Sequence, residues 1–101
     1  MGVDGGGSAF VVAPQNAVVG VNKTAALTAY APGAVSYRWT KDGVRIEGAT
    51  GGSLTVAWEK APRQSVYAVT PVYSVNGKAV DGAPVAATVE NLPRGMIFYI
   101  R

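Results

Sequence analysis

Side chains suited to acid–base, nucleophilic or metal chemistry are scarce in this sequence. It has no histidine and no cysteine, so the commonest general base, the best neutral-pH nucleophile and the two commonest zinc ligands are missing. What remains is six carboxylates, five tyrosines, four lysines, and hydroxyls with no evident base beside them. An active site needs titratable groups gathered in a pocket, and the spacing offers little toward one. Asp42 and Asp81 each precede a glycine, and an Asp-Gly turn accounts for both. Glu59-Lys60 reads as an exposed loop pair. Gly5-Gly6-Gly7 has neither the following Lys-Ser/Thr nor the helix start of a phosphate loop, and reads as a linker. No catalytic, metal or cofactor residue is expected, and the chain is not expected to be an enzyme.

Binding chemistry is better represented. Trp39 and Trp58 could form a platform for a sugar, but each continues an inward alternation: Val35, Tyr37, Trp39 in one segment and Leu54, Val56, Trp58 in another. Both are therefore expected in the core. The more unusual feature is the run Met96-Ile97-Phe98-Tyr99-Ile100. Five adjacent large apolar residues are an aggregation hazard if left bare. Either they fold back as an edge strand beside the N-terminal segment, or they add a strand to a neighbouring subunit or fill its groove. Met96, Ile97, Phe98, Tyr99 and Ile100 are the candidate partner-binding residues.

The elements that would position these residues are strands. Short runs rich in Val, Thr, Tyr and Ala are separated by Gly, Pro and Asn-Gly punctuation, and helical periodicity is almost missing. The first strand covers 9–13 and 17–21, broken at Pro14-Gln15-Asn16. Further strands are expected over 23–31, 35–40, 44–47, 54–58, 65–75, 78–80 and 85–90, with tight turns at Asp42-Gly43 and Asn76-Gly77. Glu59 to Gln64 should carry the chain across from one sheet to the other. Pro71 lies inside the longest strand, where its missing N–H argues for a bulge. Turn signals at this spacing fit an all-β sandwich or a barrel. The expected organisation is a Gly-rich leader over 1–8, one sandwich over 9–91, and an apolar strand or anchor over 92–101.

Three stretches resemble the immunoglobulin superfamily. Thr24 to Ala29 is similar to that family's strand B, with Ala29 where the first cysteine usually stands. Tyr37-Arg38-Trp39-Thr40-Lys41-Asp42-Gly43 resembles strand C and its following turn. Ser53 to Val56 and Tyr67-Ala68-Val69 resemble strands E and F, with Val69 in place of the second cysteine. The resemblance implies an all-β, immunoglobulin-like Greek-key β-sandwich of about seven strands plus an extra C-terminal strand. It implies that Trp39 packs on methyl groups where relatives have sulfur. Arg63 stands where the family usually has an acid, which puts the usual loop-tying ion pair in doubt. Disulfide-free members of this kind occur in tailed-phage virion proteins and in bacterial surface proteins.

Composition narrows the remaining choices. One domain fits 101 residues, and 49% hydrophobic with 15% charged residues excludes disorder driven by charge. The net charge of +3 is scattered, so a solvated surface is expected and no nucleic-acid face. No apolar run approaches the ~20 residues of a membrane helix. The first eight residues lack the basic and apolar regions of a signal peptide, which implies synthesis in the cytoplasm. The expectation is a small decoration or accessory protein on a tailed-phage virion. Its partner would be a capsid or tail subunit, or neighbouring copies of itself. The alternative is a carbohydrate- or host-surface-binding module at the bacterial cell surface, making weak contact with host-surface glycans.

Overall fold

The computed structural model describes residues 10–93. The leader 1–8 and the run Met96–Ile100 lie outside the described residues. Within them the chain forms eight strands and no helix: β1 (Ala17–Val19), β2 (Thr24–Thr28), β3 (Ser36–Lys41), β4 (Val44–Arg45), β5 (Ser53–Ala57), β6 (Gln64–Val75), β7 (Lys78–Asp81) and β8 (Val85–Asn91). One sheet has the order β1-β8-β6-β3-β4, with β7 also on β6; the other is β2-β5. The two sheets are very unequal, six strands against two, and this inequality shapes everything that follows.

β6 is the spine. Ser65, Tyr67, Val69 and Pro71 point inward from alternate positions and are buried, as period-2 geometry requires. Its neighbour β3 sets Trp39 directly beside Val69 in the ladder. Trp39 is 0% exposed and shares one core with Leu27, Ala29, Val56, Tyr67, Val69 and Val89. A buried indole needs a partner for its N–H; Trp39 Nε1 donates to the Gly51 carbonyl at 2.8 Å. Ala29 and Val69 belong to the same buried cluster as the indole, and Val69 is the ladder neighbour of Trp39. Val35 departs from the expected inward alternation. It precedes β3, is exposed, and only its backbone joins the sheet, donating to the Val72 carbonyl.

Both hairpin turns form as expected. Asp42 and Gly43 (φ 51° and 86°), and Asn76 and Gly77 (φ 52° and 78°), have positive φ at both central positions, the type I′ pattern that matches strand twist. Asp42 adds a second role: its backbone N–H donates to Val66 O, and its Oδ1 accepts from Val66 N–H, each at 2.8 Å.

The return strand after Asn76-Gly77 is where one expectation is corrected. Asp81 is not in an Asp-Gly turn; it ends β7 opposite Val72. Val85 then pairs with Val69, so Gly82, Ala83 and Pro84 face only Thr70 and Pro71. The irregularity expected at Pro71 thus falls on the facing segment between β7 and β8, while β6 itself runs unbroken through the proline. The Pro71 carbonyl accepts from Gly82 N–H at 2.8 Å, so the missing proline N–H is also on this side. Gly82 is glycine because of close approach: a Cβ there would lie 2.9 Å from both Pro71 Cγ and Tyr73 Cε2.

The first segment divides between the sheets, as its Pro14-Gln15-Asn16 break suggested. Val12 bridges Tyr30, at the end of β2, whereas β1 runs parallel to β8. Asn16 fixes the crossing, its Oδ1 accepting from Thr88 N–H at 2.8 Å.

Candidate functional site

One end of the sandwich, its base, is organised around Trp58 and Asn91. The chain leaves β5 at Ala57, crosses sheets over 58–63, and enters β6. Asn91 is 3% exposed, and its buried amide is satisfied on both sides. Its Nδ2 donates to Pro62 O at 3.1 Å and its Oδ1 accepts from Glu59 N–H at 3.1 Å. Arg63 O accepts Asn91 N–H at 2.7 Å. The loop tie left in doubt by Arg63 is thus made differently, by this asparagine and by Arg63 Nη2 on Glu90 Oε2 at 3.0 Å. Trp58 Nε1 donates to Leu92 O at 2.7 Å, and Leu92 N–H donates to Val19 O. Leu92 is therefore held by both sheets at the point where the described chain ends.

Beside Trp58 lies an open groove of about 400 Å³ between the sheets. β5 forms one wall with Leu54, Val56 and Trp58; Lys41, Ile46 and Tyr67 form the other. It is open because the two-stranded sheet is too narrow to cover β3 and β4. Gly52 O accepts from Ala29 N–H, and Trp58 N–H donates to Lys23 O, so even-numbered residues of β5 bond toward β2. By alternation, the N–H and C=O groups of Ser53, Thr55 and Ala57 point the other way. Among the described residues no strand pairs with that edge. β2 likewise pairs only with β5 among the described residues, and the Val12–Tyr30 bridge lies two residues beyond its end.

The groove's polar rim is an ion pair. Lys41 Nζ bonds Glu59 Oε1, which corrects the expectation of an exposed Glu59-Lys60 pair. The Glu59 hydrogen bond holds the Lys41 ammonium above the usual lysine range, and burial pushes the Tyr67 phenol up. Both groups keep their protons at neutral pH, so neither is poised as a base.

Other charges are also engaged. Asp81 Oδ2 accepts from Arg38 Nη1 at 2.7 Å. With Arg63–Glu90 and Lys41–Glu59, three of the scattered cations sit in ion pairs, and no group of three or more metal-ligating side chains occurs among the described residues. Trp39 takes the core place expected of it. Trp58 is half-buried: it packs against the core and also walls the groove. The groove itself was not anticipated. Its only sequence trace is Trp58 and Glu59 following the Leu54/Val56 alternation, and nothing in that pattern says which strands lie opposite.

Comparison with known proteins gives the fold. No protein-family model matches, and no curated protein matches. Among solved structures, fibronectin(III)-like modules of CbhA from Clostridium thermocellum are similar. They are 15% identical with a TM-score of 0.54, over 81% of this chain and 92% of that one. The chain is an immunoglobulin-like or fibronectin(III)-like β-sandwich.

Proposed function

We propose that this chain is a non-enzymatic structural module, a small decoration or accessory protein on the particle of a tailed phage. The sandwich is the body and Met96–Ile100 is the apolar segment by which it attaches. The observation that carries this reading is the bare β5 edge above an apolar groove, at the end of the domain where Leu92 leads toward that run. Exposed strand edges invite pairing with another chain. The acids with assigned partners, Asp42, Glu59, Asp81 and Glu90, all hold the fold together, which leaves the surface to binding.

A second reading has one observation in its favour. The similar CbhA domains are described as modules, so this chain could equally serve as one module of a longer bacterial surface protein, with Trp58 beside a glycan. Particles purified on a density gradient should carry the chain in fixed proportion to their major subunit. Recovery only in the cell-surface fraction, with particles free of it, would overturn the phage reading in favour of the second.

A further inference from the structure

We infer that Asn76 is a self-modifying residue: at the tip of the β6–β7 hairpin its side chain cyclises onto the Gly77 nitrogen and reopens as aspartate or isoaspartate. The inference goes beyond the assembly reading above and does not depend on it.

Three described pairs place Asn or Asp before glycine: Asp42-Gly43, Asn76-Gly77 and Asp81-Gly82. They differ in what holds the side chain and the glycine nitrogen. Asp42 is pinned, its Oδ1 accepting from Val66 N–H and its own N–H donating to Val66 O, each at 2.8 Å. Asp81 Oδ2 is held by Arg38 Nη1 at 2.7 Å. The nitrogen that would attack it is also engaged, since Gly82 N–H donates to Pro71 O at 2.8 Å, and Gly82 packs against Pro71 and Tyr73. Asn76 has none of these restraints. It is exposed, and among the described residues its side-chain amide has no hydrogen-bond partner. Gly77 N–H makes no backbone hydrogen bond there, and a Cβ on Gly77 would meet nothing within 4 Å.

The reaction needs only water and hydroxide. The Gly77 nitrogen gives up its proton and attacks Asn76 Cγ. An N–Cγ bond forms, the Cγ–Nδ2 bond breaks, and ammonia leaves with a proton in place of the one lost. Water then adds to either carbonyl of the five-membered succinimide. One opening gives aspartate; the other gives isoaspartate, with the main chain rerouted through Cβ and Cγ. Overall one water enters, one ammonia leaves, and the net charge of +3 falls by one.

Ring closure requires the peptide after Asn76 to rotate out of its type I′ orientation (φ 52° and 78° at Asn76 and Gly77), so each event waits for the tip to open. Opening disrupts little. All four residues of β7 are exposed, as are Ser74 and Val75 across from them, and segments with few core contacts open far more readily than the whole domain.

Peptide mapping of the folded full chain at mildly alkaline pH tests this. The peptide containing Asn76 should convert to both acid forms at a rate proportional to hydroxide concentration. Asp42→Asn and Asp81→Asn each supply a second Asn-Gly pair. Asp42→Asn keeps the Oδ1 that accepts from Val66 and the same turn type, so it isolates the pinning of the side chain. Urea melts establish that each variant is folded before its rates are read. In the folded variants the added pair should react roughly tenfold or more slowly than Asn76; in unfolding urea the pairs should react alike. Equal rates in the folded chain would overturn the inference. So would an Asn76 that stays intact in the folded chain over the time in which the unfolded chain converts.

Discussion

Trp39 and Trp58 make nearly the same hydrogen bond, indole N–H to a backbone carbonyl at 2.8 and 2.7 Å, yet their surroundings are opposite. Trp39 lies beneath both sheets, fully enclosed. Trp58 stands at the base, packed on the core with one face to the groove. The difference does not come from the residues, which satisfy the same need in the same way. It comes from place: Trp39 sits on β3, inside the six-stranded sheet and facing the two-stranded one, whereas Trp58 continues β5 at the unpaired edge of the narrow sheet, with the groove on its open side.

Trp39→Ala should have the largest effect. Truncating an enclosed Trp costs about 3–5 kcal/mol, a large share of the 5–15 kcal/mol typical of a domain. Cooperative urea unfolding should be nearly lost at ambient temperature. A mutant melting like the parent would mean the indole is not the centre of the core.

Asn91→Ala should follow, at about 1–2 kcal/mol, since it removes a buried amide and its two part-buried hydrogen bonds, to Glu59 N–H and Pro62 O. The shift in urea midpoint measures it, and a change below ~0.5 kcal/mol would show that water replaces the amide freely. Trp58→Phe keeps most of the apolar ring and loses the bond to Leu92 O, so about 1 kcal/mol is expected. A loss as large as that of Trp39→Ala would erase the distinction between the two sites.

The smallest effect is a pH dependence at the groove rim. Lys41 and Tyr67 both hold their protons more tightly folded than their ordinary values of 10.5 and 10.0 imply. Above pH 10 the unfolded chain sheds protons that the folded chain retains, so stability falls as pH rises there, and below that the contribution of these groups no longer changes with pH. Because the Lys41–Glu59 pair is partly exposed, Glu59→Gln should cost no more than about 0.5–1 kcal/mol at neutral pH. Thermal melts of this variant between pH 9 and 11 should slope less steeply than those of the parent. An unchanged slope would remove Glu59 as the cause.

The parts of the fold legible in the sequence were those written locally. The Trp39 alternation, the turns at Asp42-Gly43 and Asn76-Gly77, and the irregularity expected at Pro71 each follow from a few neighbouring residues. Asp81 misled because Asp-Gly marks a turn only when glycine is there for its φ; Gly82 is there because Pro71 and Tyr73 leave no room for a Cβ. The pairings Lys41–Glu59 and Asn91–Pro62 join residues 18 and 29 positions apart and carry no local signature. The groove was hidden for the same reason, since period 2 tells which side of a strand is apolar but not which sheet the strand joins.

The parallel pairing of β1 with β8 has a mechanical consequence. These are the first and last strands described, so pulling the two chain ends apart drags β1 and β8 past each other along their length. Their ladder is then loaded in shear, all rungs at once, instead of being unzipped one rung at a time. Single-molecule stretching from the ends should meet one resisting peak, lowered by Ala17→Pro, which removes a β1 N–H on the side that Val19 O presents to Leu92. A peak unaffected by that change would locate the resistance elsewhere. A body tethered by its end to a large particle would in this way carry tension through its strongest direction.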